Sequence, residues 1–171
     1  LKCYHAWEVD LVTFVSDQEL RAKIIKEILE MTSDHDLHAV INNAGLQILG
    51  GVEELSFDDW KRTLNVNLLA PFLMCQGLVS KLELSKGSIL NISSIHARLT
   101  KPNFVAYATS KAALSGMTRA MAIDLGGRIR VNAIEPGAIE TEMLKAGFDG
   151  DSQAYADLKA AHPQGRIGTP G

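Results

Sequence analysis

The sequence predicts an α/β domain built as a doubly wound parallel sheet, three-layer α/β/α, with helices on both faces. Three observations lead there. Short apolar runs of strand type alternate with longer segments of helical periodicity. Helices of that length between buried strands enforce parallel pairing through right-handed crossovers. The 171 residues, 46% hydrophobic and 22% charged, make one domain (1–171) that buries a core without disulfides or a metal.

The elements follow in order. Residues 5–11 read as a short strand ending at Asp10. Residues 17–31 place Leu20, Ile24, Ile25, Ile28 and Leu29 at helical spacing, with Ser16 as N-cap and Glu19 in the first turn. Residues 37–41 form a compact apolar strand stopped by Asn42-Asn43-Ala44-Gly45. Residues 56–80 read as one long helix capped by Ser56, with Asp58 and Asp59 where the helix dipole favours them and a kink at Pro71. Residues 87–94 are a second buried strand and 104–125 a helix rich in small residues. Residues 129–134 are a third strand, ended by Glu135-Pro136-Gly137. Residues 141–162 are helical but broken by Gly147 and Gly150, which predicts a mobile flap.

Composition narrows the function. A net charge of −3, with 17 basic and 20 acidic residues and no Lys/Arg block, argues against a nucleic-acid surface. Cys3 and Cys75 have neither metal-ligand spacing nor a disulfide framework, so no metal is expected and the compartment is reducing, hence cytoplasmic. His35 and His38 have no third ligand spaced to join them. The longest uncharged stretch, 63–80, carries Asn65, Asn67, Pro71 and Gln76, which argues against a membrane span; no signal peptide is expected either. The chain opens Leu1-Lys2-Cys3-Tyr4 and closes on the turn-like Gly168-Thr169-Pro170-Gly171, so the fold is expected to be incomplete at both ends. Trp7, Phe57 and Trp60 read as packing residues, Cys75 as a buried one, and His96 as a solvent-exposed loop histidine.

In doubly wound folds ligands bind beyond the carboxyl ends of the strands. Those ends carry Asn42-Asn43-Ala44-Gly45, Ser93-Ser94, and Pro136-Gly137 followed by Thr141. The helix after the second strand carries Tyr107 and Lys111, one turn apart on one face. A phenol has a reference pKa of about 10. An ammonium roughly 4 Å away, at an effective dielectric of about 20, favours the phenolate by about 4 kcal/mol, or around three pKa units. Such a phenol is a general acid/base near neutrality. A nearby Ser hydroxyl orients a carbonyl or alcohol oxygen.

Taken together, Asp10, Asn42-Asn43-Ala44-Gly45, Asn65-Val66-Asn67, the strand from Gly87 to Ser94, Tyr107 with Lys111, and Arg130-Val131-Asn132-Ala133 through Pro136-Gly137-Ala138-Ile139-Glu140-Thr141 resemble the short-chain dehydrogenase/reductase family. The resembling type is the single-domain one of 3-oxoacyl reductases, sugar dehydrogenases and hydroxysteroid dehydrogenases, and the likeness covers nearly the whole chain. The thirteen-residue step from Ser94 to Tyr107 fits the family's spacing and selects Ser94 over Ser93.

The resemblance implies a Rossmann-like fold and an NAD(P)-dependent oxidoreductase that interconverts a small-molecule secondary alcohol and a ketone, with NAD or NADP as cofactor. It makes Tyr107 the proton donor or acceptor at the substrate oxygen. Lys111 lowers the Tyr107 pKa and binds the nicotinamide ribose, Ser94 orients the substrate oxygen, and Asn67 holds a water linking Lys111 to solvent. Asn65 lies on another helical face. Asn43, Ala44 and Gly45 line the adenosine-ribose side, and Asp10 meets the adenine edge. Pro136, Gly137, Ile139 and Thr141 hold the nicotinamide, Thr141 through its carboxamide. The helices from Ser56 and Phe104 resemble those through which family members form homodimers or homotetramers.

The sequence departs from the family in places. It contains no Gly-x-Gly-x-x-Gly; Gly50-Gly51 and Gly126-Gly127 follow a loop and a helix instead. The stretch that chooses between NAD and NADP is missing with it. Residues 163–168 resemble the approach to a last helix and strand that are then absent, and Glu135 stands where the family carries a small residue. We expect an enzyme whose termini lie outside this sequence. The alternative is a catalytically silent scaffold or regulatory subunit. An epimerase or dehydratase sharing Tyr-x-x-x-Lys is disfavoured by Asn42-Asn43-Ala44-Gly45.

Overall fold

A computed structural model describes residues 5–148, 150 and 152–170; Cys3 and both chain ends lie outside the described residues. Strands β1 (Ala39–Asn42), β2 (Ser88–Ile92) and β3 (Arg130–Ile134) form a parallel sheet in the order β1-β2-β3. The register pairs Val40 with Ile89 and Ile89 with Val131, so these three side chains share one face. That face is buried, with Cys75, Leu78, Leu82, Leu125 and Ile129 packed over it. The opposite face carries Ile41, 61% exposed, and Ile134, 49% exposed. Among the described residues, then, the parallel sheet and one helical layer are present, and no second helical layer covers Ile41 and Ile134.

The covering layer is built from α2 (Gln18–Met31), α4 (Ala70–Leu84) and α5 (Val105–Asp124). A Cβ on Gly77 would sit 2.8 Å from Ile25 Cδ1, so only glycine lets α2 and α4 approach this closely. The expected strand at 5–11 is not formed. Residues 5–10 pair with no strand, and Asp10 instead caps α1 (Leu11–Ser16), accepting the Val12 N–H at 3.1 Å and the Thr13 hydroxyl at 2.8 Å. Trp7 packs with the cluster around Phe14, Ile24 and Ala70, and its indole N–H donates to Glu27. Ser16 is not the cap of α2. Asp17 is, accepting the Leu20 N–H, while the Ser16 hydroxyl donates back to the Val12 carbonyl.

The long helix begins as expected, with Ser56 capping α3 (Phe57–Leu64). It runs on to Leu84 because Leu82, past the charged Lys81, is fully buried. Ahead of Pro71 the helix departs from regular α geometry. The chain widens just before it into a π-helical turn, Asn65–Leu69, closed by the Ala70 N–H on the Asn65 carbonyl. Proline cannot donate to the carbonyl four residues back, and the wider turn absorbs its ring. The stretch Phe57–Leu84 is long and apolar enough to cross a membrane by length and composition, and it is the helix that lies on the sheet. Phe57 is exposed, under the Lys61 ammonium, rather than packed. Beyond β3, the short helices α6 (Glu142–Ala146) and α7 (Ser152–Ala160) contain no buried residue.

Candidate active site

The site lies where β2 runs out and α5 begins. Past Ile92 the chain stays extended, so Ser93 and Ser94 point to opposite sides. Ser93 is structural: its hydroxyl donates to the Lys111 carbonyl at 2.9 Å and lies 2.8 Å from the Ser115 hydroxyl. Ser94 faces the Tyr107 phenol, close enough to favour its ionised form, and its oxygen accepts the His96 N–H at 3.1 Å. The choice of Ser94 thus rests on geometry as well as spacing.

Tyr107 and Lys111 lie on the buried face of α5, with Ser110, Leu114, Ser115 and Thr118. The Lys111 residue is 4% exposed, and its ammonium donates to the Ile92 carbonyl at 2.8 Å. Burial brings its pKa down to about 8. The nitrogen is 5.9 Å from the centre of the Tyr107 ring. In the chain by itself the expected acidification of the phenol does not occur. Burial raises the Tyr107 pKa and the Ser94 hydroxyl only partly opposes it. The reason is placement: the ammonium is directed at a backbone carbonyl rather than at the phenol oxygen.

Asn67 is fully buried where the π-helical turn swings it inward. Its amide is already engaged. Oδ1 accepts the Leu46 N–H at 2.7 Å, and Nδ2 donates to the Leu46 carbonyl at 2.8 Å and to the Ser110 hydroxyl at 2.9 Å. It locks the loop after β1 against α5. Within that loop Asn43 and Ala44 are exposed, and a Cβ on Gly45 would lie 3.5 Å from the Lys111 ammonium and 3.8 Å from Asn67 Oδ1. Gly45, Asn67, Lys111, Tyr107 and Ser94 therefore converge. Pro136 joins them through its carbonyl, which accepts the Ile95 N–H at 2.9 Å. Gly137 is exposed and Ile139 half-buried beyond it; Thr141 caps α6 by accepting the Leu144 N–H. Asp10 stands apart, its carboxylate taken up by helix capping and held below the usual range by Thr13 and Val12.

His96 is half-buried rather than solvent-exposed, its ring 4.6 Å from Phe104 and 6.1 Å from Tyr107. Sequence reasoning also missed a polar chain under the site. Asn42 Nδ2 donates to Asn91 Oδ1, and Asn91 Nδ2 donates to the Thr118 hydroxyl. One signal was available: Asn91 interrupts an otherwise apolar run between Leu90 and Ile92.

Residues for a dinucleotide's nicotinamide-ribose end are present. The Lys111 ammonium has three N–H donors and gives one to Ile92, which leaves two for hydroxyls of a ligand. Nothing in the chain supplies the glycine-rich turn for a pyrophosphate.

The family model described as enoyl-(acyl carrier protein) reductase matches residues 6–171. Similar proteins include Protein FixR of Bradyrhizobium diazoefficiens, 39% identical over 173 residues covering 96% of this chain and 58% of that protein. Trans-4-hydroxycyclohexanecarboxylate dehydrogenase of Sinomonas cyclohexanicum is 38% identical over 133 residues, 71% of this chain and 51% of that one. A gluconate 5-dehydrogenase from Burkholderia cenocepacia, solved with NADP and tartrate, matches with a TM-score of 0.80 at 29% identity, covering 91% of this chain and 60% of that chain. The chain spans just over half the length of these curated relatives. It belongs to the short-chain dehydrogenase/reductase family.

Proposed function

We propose that this protein is an NAD(P)-dependent oxidoreductase that interconverts a small-molecule secondary alcohol and a ketone. The observation that carries the reading is the convergence of the Ser94 hydroxyl, the Tyr107 phenol and the Lys111 ammonium at the carboxyl edge of the sheet. NAD(P), when bound, supplies or accepts the hydride. Lys111 would hold its ribose, and Pro136, Gly137, Ile139 and Thr141 would hold the nicotinamide. Asn43, Ala44 and Gly45 would line the adenosine ribose, while Asp10, committed to capping α1, takes no part.

The protein's part is proton management. Ser94 uses an oxygen lone pair on the His96 N–H and keeps its own proton to bind the substrate oxygen. In the reducing direction Tyr107, a phenol that is neutral at pH 7 and that burial shifts further toward the protonated form, gives its proton to the carbonyl oxygen. Lys111, with a pKa of about 8, is still mostly cationic at neutral pH and keeps two N–H donors for the cofactor ribose, while the Ser94 hydroxyl favours the phenolate as it forms. Since the Asn67 amide is engaged, a relaying water is held by the Asn67 carbonyl, which has no α-helical donor because residue 71 is proline. The exposed side chains of Leu69, Phe72, Leu84 and Ile123, on the long helix and α5, support association into a homodimer or homotetramer.

The test is fluorescence titration of the intact protein with NADH and NADPH, followed by reduction assays on sugar-acid, cyclic and steroid ketones. Binding of either cofactor with turnover of at least one ketone class is expected. Binding of neither removes the reading and favours a catalytically silent scaffold.

A further inference from the structure

Glu135, directly after β3, is a carboxylate that the proton chemistry does not use. Its Oε1 accepts the Ser115 hydroxyl at 2.8 Å, on the α5 face that carries Tyr107 and Lys111. Its Oε2 accepts Arg98 Nε at 2.6 Å, at the far end of the loop that begins with Ser94. One side chain thus joins the end of β3, the catalytic helix and the serine loop. The backbone repeats the connection. Ser93 N–H donates to the Ile134 carbonyl at 2.8 Å and Ile95 N–H to the Pro136 carbonyl at 2.9 Å. The two neighbours of Ser94 are therefore bonded to the two neighbours of Glu135. Ser115 extends the tie inward, lying 2.8 Å from Ser93, whose hydroxyl donates to the Lys111 carbonyl.

From this geometry we infer that Glu135 is a positioning residue whose carboxylate clamps the Ser94 loop against α5 and sets the Ser94 hydroxyl opposite the Tyr107 phenol. The catalytic consequence rests on the function proposed above; the clamp itself does not. The Arg98 side chain is 74% exposed against 18% for Glu135, so the ion pair adds little stability and its value is geometric. Ser115 first and Arg98 next hold the carboxyl below the usual carboxylate range, which keeps both its oxygens acceptors at neutral pH. Arg119 adds a further positive charge nearby. Small misplacements of a catalytic group are costly: about 1 Å is enough for roughly a hundredfold loss of rate.

The experiment uses the intact protein with Glu135→Ala, Glu135→Gln and Arg98→Ala, and two readouts. Hydrogen exchange over residues 94–98 should quicken about tenfold or more in Glu135→Ala, because the clamped loop opens locally. In Glu135→Gln it should stay within about threefold of the unsubstituted protein, since an oxygen remains for Ser115. Turnover should fall roughly 10- to 100-fold in Glu135→Ala with NADH affinity within twofold, and by only about threefold to tenfold in Glu135→Gln, which keeps an acceptor for Ser115 and loses the one for Arg98. Arg98→Ala, at an exposed position, guards against misfolding and should show about a threefold to tenfold loss of turnover. Unchanged exchange in Glu135→Ala overturns the clamp, as does loss of NADH binding in parallel with turnover, or turnover within twofold in both alanine variants. If the unsubstituted protein neither binds NADH nor turns over, the proposed function fails, and exchange alone decides the clamp.

Discussion

The two walls of the site are built differently. On the β2–α5 side, Ser93, Ser94, Tyr107, Ser110, Lys111 and Ser115 are all buried, and each has a named partner. On the flap side, α6 and α7 bury nothing. Its contacts are peripheral: Phe148 meets Tyr155 edge-on at 5.3 Å, the Tyr155 hydroxyl donates to Glu140, and the Lys101 ammonium lies over Phe148 and Phe104. In a buried polar network, changing one member strands its partners. An exposed flap changes at little cost. The contrast teaches that the candidate proton site is held by buried packing, while the flap beside it can change without disturbing that site.

The largest effect that sharpens this contrast is expected from Tyr107→Phe. Turnover should fall by about three orders of magnitude while the urea midpoint moves little, since the ring stays and only the hydroxyl is lost. Undiminished turnover in steady-state assays would remove Tyr107 from the chemistry and erase the distinction between the walls.

Lys111→Met should lose roughly a hundredfold or more in turnover and yet gain stability. The folded pKa of about 8 lies below the ordinary 10.5, so between those values the unfolded chain binds the proton more readily. The cost of burying the ammonium is fully present below pH 8 and is relieved as pH rises toward 10.5. At pH 7 the variant should be up to about 3 kcal/mol more stable in denaturant unfolding. That gap should narrow as pH moves from 8 to 10. A gap independent of pH would contradict the burial argument.

Asn67→Ala strands the Leu46 N–H and carbonyl and takes from the Ser110 hydroxyl oxygen the N–H it accepts. A loss of about 3 kcal/mol is expected by chemical denaturation. An effect below about 1 kcal/mol would show that the loop after β1 is held by something else. Phe148→Ala, on the flap, is the smallest. It should raise the substrate KM a few fold, leave kcat within about twofold, and shift stability by about 0.5 kcal/mol. A collapse of kcat there would break the division of labour.

Much of the candidate site was legible because it is local. Tyr107 and Lys111 stand one helical turn apart whatever surrounds them, and β1, β2 and β3 fall inside or within a residue of the apolar runs. The misreadings concern competition between elements. Residues 5–11 alternate like a strand, but the Asp10 carboxylate and the Thr13 hydroxyl form a helix start instead, and no described strand pairs with the segment. His96 looked solvent-exposed because its aromatic neighbour Phe104 arrives from across a loop. The direction of the Tyr107 shift was misjudged by treating phenol and ammonium as an isolated pair, when burial is the larger influence.

By itself the amino-acid order determined the three paired strands and the helices between them, the shared face of phenol and amine, and the serine thirteen residues before the tyrosine. Those are properties of periodicity and spacing, which short-range geometry enforces. Only the tertiary structure decided that Lys111 aims at the Ile92 carbonyl, that Asn67 is committed to Leu46, and that Glu135 meets Ser115 and Arg98 from 20 and 37 residues away. Such partners are distant in the chain, and packing the helices onto one face of the sheet is what brings them within hydrogen-bond reach.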